Sequence, residues 1–358
     1  MRIKPVLSNP LLSIAAFIQF VRALQPAQVF KPKTAILAVS LLLLASVSVA
    51  SAQLIKMTVG YGAIAAGQLP AWMAKESGVF AKNGLDVQLV LFKGSTPAVM
   101  ALLSRETPIG QVTGPPIVTA ALRGADTVMI AGGAVIADYW LMSQPEIKTG
   151  EQLKGGTIAV STFGGQADFM ARIALKRLGL TPAKDVALVQ IGIPQDRLTA
   201  LQTGKVQAAL LTPPDSFIGL KRGFHTLEYV SVPSQANGVA TTRRFIRENP
   251  DIVRRYIKSQ IEAIHRIKTD REAAMRLIVK ILGSQDKEIL EKTYEDISSN
   301  NKFPPKQFPT LEGIKNILDS LGEAEPKAKA AKPEDFVDMS FIRELDQSGY
   351  IDSLYKNR

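Results

Sequence analysis

The sequence predicts an α/β fold of two lobes in series, each a mostly parallel sheet flanked by helices, with a helical C-terminal segment. Three observations predict it. Short apolar or alternating runs take turns with helix-length amphipathic segments through residues 55–131, the pattern of strands joined by helical crossovers. The pattern restarts near Tyr139. From Asn249 onward the chain reads as almost entirely helical.

Residues 55–61 (Ile-Lys-Met-Thr-Val-Gly-Tyr) alternate apolar and polar, as a strand does. Pro70 suits the first turn of a helix reaching Ser77, and Gly84 precedes a strand over 86–92. Ser95-Thr-Pro97 is a cap-plus-proline start for a helix ending near Arg105. A strand at 109–112, a helix from the Thr113-Gly-Pro-Pro116 junction to Arg123 and a strand at 127–131 complete the first unit. In the second, strands are expected at 139–143, 157–160, 185–191 and 206–211, with helices from Gln166 to about Leu178 and over 195–203. Leu153–Gly156 and Thr212–Asp215 read as turns, and short strands at 226–232 and 238–242 return toward the first half.

Asn249-Pro250 caps a helix whose Ile252, Val253, Tyr256, Ile257, Ile261, Ile264 and Ile267 form one apolar stripe. Further helices are expected over 271–282, 287–299, 310–321 and 333–347, with a polar, mobile loop over 322–332. Two chain crossings, near 134–139 and 231–242, are what a hinge between lobes requires. The implied division is 1–52 as an N-terminal extension and signal peptide, 53–137 as the first part of lobe 1, 138–235 as lobe 2, and 236–358 as the return to lobe 1 with the helical segment.

The 358 residues contain no cysteine, which excludes disulfide scaffolds, thiolate nucleophiles and cysteine-held zinc. The formal charge is +11, and five of the basic residues (Arg2, Lys4, Arg22, Lys31, Lys33) lie in the acid-free first 52 residues. The remaining basic residues are spread over helix faces without interleaved aromatics, so no nucleic-acid partner is expected. Lys31 and Lys33, an apolar run over 34–50 and the Ala50-Ser-Ala52 site describe a secretory signal cleaved near Ala52–Gln53, hence a periplasmic protein.

In open parallel sheets, ligands sit beyond the carboxyl ends of strands, where helices begin. Four such junctions carry glycine or hydroxyl residues: Gly94-Ser-Thr96, Thr113-Gly114, Thr162-Phe-Gly-Gly165 and Thr212-Pro-Pro214. Free amides at a helix start favour an anion, and hydroxyls add donors without burying a charge. Each alone reads as an ordinary cap; their recurrence in both halves aims them at one cleft.

These residues carry a family resemblance. Gly60-Tyr-Gly, Leu69-Pro-Ala-Trp-Met-Ala-Lys-Glu-Ser-Gly-Val-Phe80 and Asn83-Gly-Leu-Asp-Val-Gln-Leu-Val90 resemble the opening of the nitrate/sulfonate/taurine class of substrate-binding proteins, in the thiamine-pyrimidine-synthase-like superfamily. Leu153-Lys-Gly-Gly-Thr-Ile-Ala-Val160, residues 198–210 and Phe245–Val253 are similar to its later motifs, so the resemblance spans about 54–280. It implies the type II periplasmic-binding-protein fold, with C-terminal helices on the first lobe. It also implies capture of a small solute (sulfonate, nitrate, carboxylate or pyrimidine-like) by hinge closure, as a monomer serving an ABC permease and its ATPase, with no cofactor. By position it assigns the ligand site to Ile64 and Ala65 in the 63–66 loop, Ser95, Thr113, Gly114, Thr162, Gly164, Gly165, Gln166 and Thr212. Tyr139, near the first crossing, either stacks on the ligand or packs in the core. Arg197 could pair an anion, but reads first as a surface residue.

An enzyme of the same superfamily is the main rival, along with a ligand-sensing role. The thiamine-pyrimidine branch uses a histidine near its first loops, and this chain has none before His225. With only His225 and His265, triad chemistry and histidine metal sites have little material. Gly60-Tyr-Gly-Ala-Ile-Ala-Ala-Gly67 lacks the spacing of a dinucleotide fingerprint, and there is no P-loop.

Overall fold

The computed structural model describes residues 53–356, apart from Ser284, Glu323 and Ala324. The expected secretory signal lies outside the described residues. The elements in order are β1 (Ile55–Tyr61), α1 (Leu69–Glu76), α2 (Val79–Lys82), β2 (Leu85–Leu91), α3 (Ser95–Leu103), β3 (Ile109–Val112), α4 (Gly114–Leu122) and β4 (Thr127–Gly132). Then come β5 (Ile136–Ser143), α5 (Gly150–Leu153), β6 (Thr157–Val160), α6 (Gln166–Arg177), β7 (Ala187–Gln190), α7 (Pro194–Gln202), β8 (Ala208–Leu211), α8 (Asp215–Lys221), β9 (His225–Pro233) and β10 (Gly238–Thr242). The C-terminal segment holds α9 (Arg243–Glu248), α10 (Pro250–Thr269), α11 (Arg271–Leu282), α12 (Lys287–Ser298), α13 (Leu311–Leu321), α14 (Pro326–Ala330), α15 (Ser340–Gln347) and α16 (Tyr350–Tyr355).

The strands form two five-stranded sheets, ordered β2-β1-β3-β10-β4 and β7-β6-β8-β5-β9. In each, four strands run parallel and one runs against them: β10 lies antiparallel between β3 and β4, and β5 between β8 and β9. Both reversed strands directly follow a chain crossing between the sheets. Strands β3, β4, β8 and β10 are buried along their whole length, as strands covered on both faces must be; apart from Gln111, which is hydrogen-bonded to Tyr256 and Gln260, their residues are accordingly small or apolar.

α10 buries Val253, Tyr256, Ile257, Ile261, Ile264 and Ile267 at 1% exposure or less, the stripe read from the sequence, while Ile252 at its start is only partly buried. Together with α1, α11, α12, α15 and α16 it covers the first sheet. α13 differs: it packs on α4 and on β9, so it spans both lobes. Its Gly313 lies so close to the crossing segment that a Cβ there would sit 2.7 Å from the Ser234 backbone.

Three expectations change. The 322–332 stretch contains the short helix α14, whose Ala328 is 2% exposed against the second-sheet core. The helix expected over 333–347 is broken. A 3-10 turn (Pro333–Phe336) precedes Val337, which bridges Met129 of β4, while Asp338 N donates to Met129 O at 2.8 Å. The edge of β4 offers unpaired backbone groups, and pairing with them outweighs continuing the helix. The turn expected at Thr212–Asp215 runs straight into α8.

Candidate functional site

The carboxyl ends of β1, β3, β6 and β8 converge on one cavity. Gly62 follows β1, Thr113 follows β3, Ser161 follows β6 and Thr212 follows β8, and all four line it. Gly62 is needed there because a Cβ would lie 2.8 Å from Ser95 Oγ and 2.9 Å from Ser95 N. The two crossings supply Ala134, Ile136–Tyr139, Ala236 and Asn237 to the same wall.

Arg197 lies at the centre of this wall's chemistry. It is 2% exposed, which corrects the surface reading. On α7 it shares a face with Pro194, Leu198 and Leu201, all buried, so the helix places it inward. Nε donates to Leu210 O at 2.7 Å and Nη1 to Gly192 O at 2.5 Å. Those bonds fix the guanidinium and leave Nη2 for another acceptor. Burial lowers its pKa, opposed by Tyr139, Asp215 and Asp196. The Tyr139 hydroxyl beside it is pushed up to about 12 by burial, with the Arg197 charge pulling the other way. A neutral phenol and a fixed guanidinium are both donors, which suits an anion.

Asp215, 2% exposed, begins α8 behind Arg197. Burial raises its carboxyl to about 7, against the pull of Arg197. A second charged group lies elsewhere on the wall: Lys302 Nζ is 3.1 Å from Asp138 Oδ2 and 2.5 Å from Asp296 Oδ1. Tyr229 donates to Asp138 Oδ1 at 2.8 Å. Burial pushes Asp138 up, but the Lys302 charge and hydrogen bonds from Ser231, Tyr229 and Lys302 bring it below the usual carboxylate range. Asp296 stays raised, because burial outweighs Lys302.

Among the residues expected from sequence, Ala65, Ser95, Thr113, Tyr139, Gln166 and Thr212 line the cavity. Ser95 Oγ accepts from Thr113 N at 3.2 Å, and Thr113 Oγ1 is buried with no partner among the described residues. Gln166 is tied to Ser234 Oγ at 3.2 Å. Five do not line it. Ile64 O accepts from Gln195 Nε2 at 2.8 Å, and Thr162 Oγ1 donates to Thr96 Oγ1 at 3.1 Å, so both clasp one lobe to the other. Gly114 donates to Gln235 O at 2.7 Å, a packing role. Gly164 N donates to Asp168 Oδ2 at 2.9 Å, and Gly165 packs on Thr162 and Ser161. These last two are cap geometry.

Trp140, next to Tyr139, points to the opposite face of β5 and packs on Tyr229 and Phe217. His225 opens β9, and His265 on α10 meets the Tyr355 ring edge-on; neither lines the cavity. Sequence reading missed Gln68, Asn237, Asp138, Asp296 and Lys302. For Arg197 a signal existed, since its i−3, i+3 and i+4 neighbours (Pro194, Ala200 and Leu201) are apolar. For the others there was none, because Asp138 and Lys302 are far apart along the chain.

Two α/β sheets joined by two crossings, with a shared cavity at their strand ends, define the architecture of a periplasmic solute-binding protein. The chain belongs to the NMT1-like family, whose model matches residues 50–283. YtlA of Bacillus subtilis (strain 168), named as a binding protein, is 22% identical over 267 residues, covering 71% of this chain and 80% of YtlA. Among solved structures, a Bordetella bronchiseptica RB50 protein superposes with a TM-score of 0.72 at 18% identity, over 83% of this chain and 98% of its own. The periplasmic aliphatic sulphonate binding protein SsuA of Escherichia coli gives 0.59 at 19% identity, over 81% and 99%. The periplasmic nitrate-binding protein NrtA of Synechocystis PCC 6803 gives 0.61 at 14%, over 83% and 89%. At such identities these likenesses establish the fold.

Proposed function

We propose that this protein is exported and captures a small anionic organic solute between its lobes, delivering it unchanged to an ABC permease and its ATPase. The observation that carries this is the buried Arg197, held by two backbone carbonyls with Nη2 left over, in a cavity that Tyr139 and the hydroxyls of Ser95, Thr113 and Thr212 also line. Residues 53–137 with most of 236–358 form one lobe and 138–235 the other, α13 and α14 packing on the second-sheet core, and closure about the crossings buries the solute. The sulfonate- and nitrate-binding proteins that share this fold support an anion as the ligand class.

A thermal-shift screen of the Gln53–Arg358 protein against alkanesulfonates, carboxylates and nitrate tests it. A ligand at one hundred times its dissociation constant stabilises the fold by about 2.7 kcal/mol. Tyr139→Phe is expected to weaken the hit by about 1 kcal/mol, roughly fivefold, through one lost hydrogen bond. Recovery of a converted product, or an anion affinity untouched by Tyr139→Phe and Thr113→Ala together, rejects the assignment.

A further inference from the structure

We propose that the solute also carries hydrogen-bond donors, read by Gln68, Asn237 and Asp296 on the wall built by the first sheet and its helices. The inference rests on the cavity being a solute site, and adds what kind of solute fits it. Arg197 and Tyr139, from the second sheet and its helices, provide donors. The facing residues provide the reverse.

Gln68 is 5% exposed, and its Nε2 lies 3.4 Å from Gln111 O. Its Oε1 is buried with no partner among the described residues. Turning the amide over would set Oε1 against the Gln111 carbonyl, acceptor against acceptor, so Oε1 is the atom left over. Asn237 is 2% exposed, and neither Oδ1 nor Nδ2 has a partner among the described residues. Whichever way that amide is turned, one buried acceptor remains. Asp296 gives Oδ1 to Lys302, which leaves Oδ2. There, two carboxylates, Asp138 and Asp296, share one ammonium, so this corner is short of one positive charge. All three residues line the cavity.

A buried acceptor left without a donor costs about 1–3 kcal/mol. Nitrate and plain alkanesulfonates have acceptors only: they pair the Asn237 amide N–H but leave Gln68 Oε1 and the Asn237 amide oxygen unpaired, and they bring no donor to the partly buried Asp296 Oδ2. An ammonium, amide or hydroxyl group at a few bonds from the anionic head pairs them. Sites built to hydrogen-bond a substrate N–H or O–H reject analogues that lack it far more strongly than apolar pockets reject a missing methylene.

Isothermal titration of the purified protein with propane-1-sulfonate, 3-aminopropane-1-sulfonate, 3-hydroxypropane-1-sulfonate, butanoate, 4-aminobutanoate and nitrate tests this. At least one donor-bearing member is expected to bind at least tenfold tighter than its plain partner. A preference for the amine assigns the recognition to Asp296; an equal preference for the hydroxyl assigns it to the two amides. In Asn237→Leu the preference should shrink, the donor-bearing compound losing more affinity than its plain partner. Should that variant fail to fold, Gln68→Met makes the same comparison. Propane-1-sulfonate or nitrate binding as tightly as the donor-bearing compounds overturns this inference and leaves the anion site standing. No binding by any of the six overturns both.

Discussion

Asp215 shows how a single buried group sets a measurable pH response. Its carboxyl begins α8 with 2% exposure, and burial raises it to about 7. The unfolded chain has lost this proton by about pH 5, near the ordinary aspartate value, while the folded chain still holds it. Between those values the folded state binds more protons, so stability falls as pH rises toward 7 and levels off above it. The slope from this one group approaches about 1.4 kcal/mol per pH unit. Asp215→Asn is expected to remove it, which urea unfolding of both proteins at pH 5, 6, 7 and 8 checks. An unchanged slope would mean that the carboxyl is ionised in the fold. Gln195 Nε2 donates to Asp215 Oδ2 at 3.0 Å and also to Ile64 O across the cleft, so the same group is tied to the clasp between lobes.

At the scale of elements, α10 anchors the first lobe. Its stripe faces α1 and the sheet, and Tyr256 reaches the Gln111 Nε2 of β3 at 3.0 Å. Ile261 is 0% exposed at the middle of that stripe. Ile261→Ala is expected to cost about 2–5 kcal/mol from lost burial and the cavity left behind. Chemical denaturation reads this directly, and a loss below about 1 kcal/mol would place the core elsewhere. The α10 stripe was legible in the sequence because a helix repeats every 3.6 residues and the isoleucines repeat with it. The strands were legible in position, several to within a residue or two. The break at Val337 was not, because it depends on the free edge of β4, more than two hundred residues earlier in the chain.

At the scale of the whole molecule, the lobes touch across the cleft. Lys93 Nζ lies 3.0 Å from Asp196 Oδ2, Thr162 Oγ1 3.1 Å from Thr96 Oγ1, and Ala66 N 3.4 Å from Pro213 O. The chain has no cysteine, so Thr96→Cys with Thr162→Cys offers a clean crosslink. Oxidation is expected to join the lobes, visible on a non-reducing gel, and to slow solute exchange by at least tenfold. Free exchange in the crosslinked protein would show that solute passes without the lobes parting. On the opposite side, the segment around Lys302 and α13 lies over both crossings. Lys302 O accepts from Val135 N at 2.9 Å, and Asn316 Nδ2 donates to Pro233 O at 2.9 Å. By itself the sequence determined the two α/β units, the two crossings and the junction residues Ser95, Thr113 and Thr212, because strand and helix periodicity and local turn chemistry are short-range properties. Only the tertiary structure decided that Arg197 faces inward as a buried cation, that Thr162 and Ile64 clasp the lobes, and that Gln68, Asn237, Asp138, Asp296 and Lys302 share the cavity wall. Those placements depend on which distant segments fold against each other, and burial, which sets both charge state and unmet hydrogen bonds, exists only once they have.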